Sequence, residues 1–322
     1  EQLSPTGSAT GTTLMPQYDL LGINTRHEVN KIPRAEILVG ESAQKDKDFG
    51  LVSSGCFAIG TYIAISARHS EQGSEQELFR GLVIRQELNR TRRGPTLLVE
   101  LVDPAHKMTL QPQFRVFKEK SNDQKAITEV FTQFAKTDAQ PKVAKGTIKL
   151  TGATYPNLVQ QKTTDWGFIL WRAEVNGAIV TVEKGKIDVQ APALKKAAEI
   201  KNEQTEVIDF SIVTDANEHR QELSYNFVPT TKAKGKPKQA AGKAPKLAAK
   251  GMGAATFASK IGAAGRENPA TMGENEAELK ALAGSWLVKS VLALKKGRIR
   301  LFGPGEPKAK PGAAIMLTDF DK

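Results

Sequence analysis

Up to about residue 103 the apolar positions fall in short runs. Residues 35–40, 57–67, 79–89 and 96–102 are rich in Ile, Val, Leu and aromatics, and Gly, Ser, Glu and Arg clusters suited to turns separate them. Within the second run Tyr62, Ala64 and Ser66 alternate with Ile63, Ile65 and Ala67, which predicts one buried and one wetter strand face. Short strands at this spacing suggest a sandwich or a small barrel, and closure into a barrel would remove the edges that invite aggregation.

The period changes after Ser121. Ile127, Val130, Phe131 and Phe134 recur at i, i+3, i+4 and i+7, and Ser121 with Gln124 fits a capping box, so a helix is predicted over 123–136, with Pro141 beyond its end. A second helix is predicted over 165–176, with Thr164 as N-cap, Asp165 in the first turn and Gly177 at the permissive C′ position. Trp166, Ile169, Leu170 and Ala173 make its core-facing stripe. Trp171 lies round toward the opposite side, where a neighbouring domain or another subunit is expected to touch it. Residues 178–183 and 186–190 flank Lys184-Gly185 as a hairpin, and strands return at 207–214 and 221–227. Leu279, Leu282, Ala283, Trp286 and Leu287 form one stripe of a helix over 275–295 that Lys295, Lys296 and Gly297 bring to a stop. Strands at 298–302 and 314–318 flank a Pro/Gly loop, residues 251–273 are small-residue-rich without a clear period, and no internal repeat is found.

A chain of 322 residues can bury one large core or two to three small ones. Cys56 is the single cysteine, so no intramolecular disulfide forms, a reducing compartment is expected, and Cys56 itself reads as a small buried hydrophobe in a strand. No run approaches the roughly 18 consecutive apolar residues of a membrane helix, and stable membrane insertion is not expected. Residues 1–17 lack the basic and apolar regions of a secretory signal and read as a loose arm.

The net charge of +11 invites a nucleic-acid reading, but its distribution argues otherwise. Lys232, Lys234, Lys236, Lys238, Lys243, Lys246 and Lys250 sit in a stretch without an acid, so the rest of the chain is nearly balanced. That stretch holds Pro237 and Pro245, and no aromatic lies between Phe227 and Phe257 on which bases could stack. It reads as a solvated linker or loop, and nucleic acid is not the expected partner.

Catalytic signatures are not found. His27, His69, His106 and His219 are scattered, none at metal-site spacing, and there is no GxSxG, Walker A or strand-borne GxGxxG. Glu274, Glu276 and Glu278 begin a predicted helix, where the dipole accounts for them, and Asp46, Asp48, Asp319 and Asp321 lie in a loop and a tail. No catalytic, cofactor-binding or metal-binding residue is assigned, and no enzyme activity is expected.

The stretch 158–177, LVQQKTTDWGFILWRAEVNG, resembles the central motif of Vgr-type spike proteins: a strand ending in Val159-Gln160, then Thr164-Asp165, then a helix with Trp166, Phe168 and Arg172-x-Glu174, then Gly177 before a hairpin. Phe79-Arg80-Gly81-Leu82-Val83, residues 98–104, Tyr155 and residues 296–299 are similar to further family elements in the same order, so the likeness spans about residues 35–320. The family is the baseplate hub of contractile injection machines: phage tails, type VI secretion systems and extracellular injection particles. The resemblance implies a mainly β fold with an α+β insert: two small β-barrels of the phage tail hub type, and three chains that match a threefold spike to a sixfold tube. On this reading 1–20 is a flexible arm, 21–110 with 191–228 the first β-barrel, 111–190 the α+β insert, 229–256 the lysine-rich linker and 257–322 a second, truncated barrel. The implied partners are two further copies of the chain, the tail tube protein, baseplate and spike-tip proteins, and a cargo effector. The implied location is the bacterial cytoplasm during assembly and a particle released or fired outward afterwards. The oligonucleotide-binding-type barrel and needle of full Vgr-type proteins are not found, and the chain starts at Glu1 rather than Met, so it reads as part of something longer. The alternatives are a polyanion-binding module that uses the lysine stretch, and a cell-wall hydrolase.

Overall fold

The computed structural model describes residues 2–4, 19–40, 52, 55–68, 75–91, 94–118, 120–150, 153–192, 196–201, 207–215, 217, 222–227, 238–243, 265–268, 276–302 and 309–318. Its contacts divide the chain into two compact units: Glu1–Leu110 with Phe131–Gly146 and Thr181–Asp188, and Gln111–Val130 with Thr147–Val180 and Val189–Lys322.

The first unit is built on one antiparallel sheet. Strands β1 (Gln2–Leu3), β2 (Asp19–Arg26), β3 (Arg34–Gly40), β4 (Tyr62–Ala67), β5 (Gln76–Thr91) and β6 (Gly94–Val102) run in the order β1-β4-β5-β6-β3-β2. The sheet curls into a half barrel. Register shifts at Leu20/Gly22, Ile65/Ser66 and Val83/Arg85 supply the curl, because a bulge bends its strand and sharpens the local twist. Alternate residues of β3 and β6, among them Ile37, Val39, Leu97, Val99 and Leu101, pack with Phe79 and Val83 into the core. Here two expectations are corrected. Residues 62–65 are buried on both faces, because Tyr62 and Ala64 pack with Leu82 while Ile63 and Ile65 enter the main core. Cys56 lies in a turn before β4, half-buried against that core, and not in a strand.

A 3-10 turn, Pro104–Thr109, closes the sheet, and its cap is the buried Asp103. Asp103 Oδ1 accepts the Ala105 N–H and Oδ2 the Gly185 N–H, each at 2.8 Å, so one carboxylate holds two turns of the same unit. Burial pushes its pKa up to about 6, against the pull of those two N–H groups. Glu77 pairs with Arg80 and, at 3.2 Å, with Lys184, the residue next to Gly185.

Further along the chain come β7 (Pro112–Val116), β8 (Ser121–Asn122), helix α1 (Asp123–Phe134), β9 (Ala144–Ile148), β10 (Thr154–Tyr155), β11 (Val159–Thr164), helix α2 (Asp165–Val175), β12 (Ile179–Glu183) and β13 (Lys186–Gln190). β7 pairs with β11, β8 with β10, and β12-β13-β9 form a small sheet. The α1 cap differs from expectation: Asn122 Oδ1 accepts the Lys125 N–H at 2.9 Å, while Ser121 is paired within β8 and Gln124 accepts from Leu150 N–H. Asn122 wins because its carboxamide reaches the third helical N–H, the orphan donor a cap satisfies.

The last elements are β14 (Lys196–Lys201), β15 (Val207–Thr214), β16 (Glu222–Phe227), β17 (Lys238–Lys243), β18 (Gly265–Asn268), helix α3 (Glu276–Ala293), β19 (Lys295–Leu301) and β20 (Ala314–Thr318). β14 runs parallel to β20, β15 antiparallel to β19, and β17-β16-β18 form a third group. The expectation grouped 191–228 with the first barrel; β14 and β15 pair with the C-terminal strands. It also placed 238–243 in a linker, whereas these residues form a strand on β16, where main-chain pairing does not depend on side-chain type. On α3, Leu279, Ala283, Leu287 and Val291 are buried, and the expected stripe residue Trp286 is instead 47% exposed, a hundred degrees round from Leu287. Among the described residues no helix is long and apolar enough to cross a membrane.

A buried arginine cluster beside an exposed tryptophan as the candidate functional site

The site is built on the β11–α2 junction, in the second unit. Thr164, extended at φ −67 and ψ 157, caps α2 by accepting the Gly167 N–H at 3.1 Å, and that turn sets Asp165 beside Gln160. Gln160 has no exposed surface. Its Nε2 donates to Thr163 O at 3.0 Å and to Asp165 Oδ1 at 2.9 Å, and its Oε1 accepts from Arg115 at 2.7 Å. Arg115 also donates both terminal nitrogens to the Asp165 carboxylate. Three side chains from β7, β11 and α2 thus satisfy one another, which buried polar groups require.

One turn on, Phe168 is fully buried and stacks on Phe117, with centroids 5.2 Å apart. Trp166 is buried too. Arg172, 1% exposed, donates from Nε to Asp123, which also accepts from the Tyr155 hydroxyl at 3.2 Å and from Asn176 Nδ2 at 2.7 Å. The guanidinium lies between two rings, 4.6 Å from the centroids of both Tyr155 and Trp171, and its Nη2 stands 3.5 Å from Glu278 of α3. Burial works against the charge on Arg172, but the Asp123 hydrogen bond and field outweigh it and raise the pKa, so Arg172 stays a cation. Burial pushes the Tyr155 hydroxyl up as well, and it serves as a donor.

The remaining motif residues meet α3. Glu174 accepts Lys289 at its carboxylate, and its carbonyl accepts the Ser285 hydroxyl at 2.5 Å. Gly177 ends α2 at φ +63, and a Cβ there would stand 3.0 Å from the Ser285 Cα, so both the left-handed turn and the close approach of α3 call for glycine. Trp171 is 50% exposed: one side meets the Phe168 ring edge and Arg172, the other meets solvent.

The seven motif residues therefore separate into a Gln160–Asp165 group with Arg115, a packed pair Trp166 and Phe168, and an α3-docking group Arg172, Glu174 and Gly177. Sequence reading missed Arg115, Asp123, Asn176, Glu278 and Ser285, which complete these groups from distant segments. Lys238 and Lys243 lie in β17, and Lys232, Lys234, Lys236, Lys246 and Lys250 lie outside the described residues. Chemically the arrangement is closed: its cations and carboxylates face one another, and among the described residues no group of three or more His, Cys, Asp or Glu could hold a metal ion.

Solved structures share this fold. The tail protein from Neisseria meningitidis MC58 aligns with a TM-score of 0.59 at 12% identity, over 93% of this chain and 81% of its own. The 43 kDa tail protein of prophage MuSo2 from Shewanella oneidensis aligns with a TM-score of 0.60 at 11% identity, over 97% and 87%. The prophage tail protein gp18 from Listeria monocytogenes EGD-e aligns at 0.51 and 12% identity, over 88% and 76%. The fold is therefore that of phage tail proteins. No curated protein matches the chain. Residues 4–320 match the model of the Alg8 N-terminal domain, and the chain belongs to that family.

Proposed function

We propose that the chain is a structural hub of the Vgr type in a contractile injection machine, a trimeric adaptor between a sixfold tail tube and a spike tip. The observation that carries this reading is the extent of the fold match, 97% of this chain against 87% of a prophage tail protein, which is too long to be one shared sheet. The closed polar cluster supports it: charges that pair with one another fix geometry and leave no group free to attack a substrate. In this reading the curled sheet β1–β6 belongs to a first barrel, β14, β15, β19 and β20 belong to a second, and 111–190 is the insert. Three copies then offer six similar barrel faces to a sixfold tube. Tube, baseplate and spike-tip proteins are its partners, with a cargo effector carried by the particle. The particle assembles in the bacterial cytoplasm and acts after release. Trp171, already backed by Phe168 and Arg172, presents its free face to a neighbouring subunit or domain.

Light scattering on the purified chain tests this reading. The expected mass is three times 34.9 kDa. A monomer at micromolar concentration refutes it.

A further inference from the structure

The ribbon of β15 and β19 separates charge from apolar surface by strand alternation. Directly opposed residues of an antiparallel pair share a face. The register Asp209↔Arg300, Ser211↔Arg298 and Val213↔Lys296 therefore puts Lys296, Arg298 and Arg300 in one row, with Asp209 as the acid opposite them. The intervening pairs, Phe210↔Ile299 and Ile212↔Gly297, together with Leu301, make the other face apolar. Lys296, Arg298 and Arg300 are all exposed, and Asp209 meets only Arg300, at 3.5 Å. Ile212 is 45% exposed on the apolar side. Gly297 keeps the two strands close, since a Cβ there would lie 2.8 Å from Ser211 O. Among the described residues the sheet has two strands, so the outer edge of β19 carries main-chain donors and acceptors with no strand beyond it.

We propose that this edge takes an extended acidic segment of another protein, which pairs main chain to main chain with β19 and sets its acidic side chains beside Lys296, Arg298 and Arg300. Charge complementarity names the occupant. A strand added to an edge repeats the alternation of its neighbour, so its residues on the basic face must be acidic and those between them apolar. A nucleic acid would satisfy the cations but neither the open main-chain groups nor the apolar face, and the basic face carries no aromatic ring for a base to stack on. The surface is separate from the lysine stretch at 232–250, and the inference holds whether or not the chain is trimeric.

The probe is a fluorescent peptide of alternating glutamate and valine, as long as β19, titrated into the full chain at low salt and followed by anisotropy. The wild type is expected to bind it, with affinity that falls as salt rises. The double variant Lys296→Glu/Arg298→Glu, checked for an unchanged thermal melt, is expected to bind about tenfold more weakly, the scale of two exposed ion pairs reversed. Replacing Lys232, Lys234, Lys236, Lys246 and Lys250 by glutamine is expected to leave binding intact. Methylating alternate peptide nitrogens of the probe, which removes edge donors, is expected to abolish it. The proposal fails if the wild type does not bind the peptide, if the double variant binds it equally, if the methylated probe binds as well as its parent, or if a single-stranded DNA oligonucleotide displaces it at lower concentration.

Discussion

Replacing Arg172 by Met removes a charge and keeps much of the volume. What remains is Asp123, without exposed surface and stripped of its cation. Breaking a buried ion pair from one side costs about 3–5 kcal/mol, because the surviving charge is left desolvated. Here the Tyr155 hydroxyl and Asn176 Nδ2 still donate to Asp123, which points to the lower half of that range. Loss of the guanidinium between the Tyr155 and Trp171 rings adds about 1 kcal/mol. The expected total is about 4 kcal/mol, or a fall in melting temperature on the order of 10 °C for a unit of this size. Tryptophan fluorescence reads it directly, since Trp166 and Trp171 sit on the same helix. The decisive comparison is the double variant Arg172→Met/Asp123→Asn, in which the charge is gone but an oxygen remains to accept from Tyr155 and Asn176. Its stability should exceed that of the single variant by at least about 1 kcal/mol, although it gives up a carboxylate at the α1 N-terminus worth about 0.5 kcal/mol. A single variant that melts within about 2 °C of wild type, or a double variant no better than the single, would refute the account of Arg172 as the cation that makes Asp123 tolerable.

Three further outcomes follow from the same geometry. Asp103 has a folded-state pKa near 6, above its model value of 3.8, so the folded form holds the proton longer. Its contribution to stability is therefore greatest below pH 4 and is lost as pH rises through 6, by up to about 3 kcal/mol; Asp103→Asn should flatten that slope in thermal melts run from pH 4 to 7, and an unchanged slope would count against it. Gly177→Ala should cost ~1–2 kcal/mol, from the positive φ and the Cβ pressed on the Ser285 backbone, read as a lower denaturant midpoint. Trp171→Ala should lower monomer stability by only about 1 kcal/mol, since half the ring is already in water, yet shift light scattering from trimer to monomer; a trimer that survives places the subunit interface elsewhere.

Strands and helices that obey one period were legible. The helix over 165–176 and the strands at 96–102 and 207–214 were expected within a residue or two of their bounds, because their apolar residues recur at the spacing of a single buried face or follow one another without a break. The strand Pro112–Val116 inverts that rule: Arg115 turns inward to Asp165 and Gln160, while Phe114, at 67%, and Val116 face solvent. A strand whose inner face is polar gives no alternation signal of the usual sign. Asp19–Arg26 was hidden for a different reason, since at the edge of its sheet neither face is deeply buried. Lys238–Lys243 offered lysine, alanine and glycine, and its pairing with β16 is carried by the main chain, which composition does not encode.

The candidate site was legible as a pattern but not as a cause. Gln160, Asp165, Arg172, Glu174 and Gly177 stand out in sequence because each is a polar or special-backbone residue in the middle of an apolar helix-and-hairpin segment. Their partners lie far off in the chain: Asp123 is 49 residues from Arg172, and Ser285 is 111 from Glu174. No local period links such pairs. Apolar contacts accept many side chains of about the right size, whereas a buried cation accepts only a partner of opposite charge at one place and direction. A fold held at its centre by Asp123, Arg172 and Gln160 has few substitutes for those residues and many for the leucines and valines around them. This is why the resemblance is strongest over 155–190, and why neighbours with only 11–13% identity keep the same chain path.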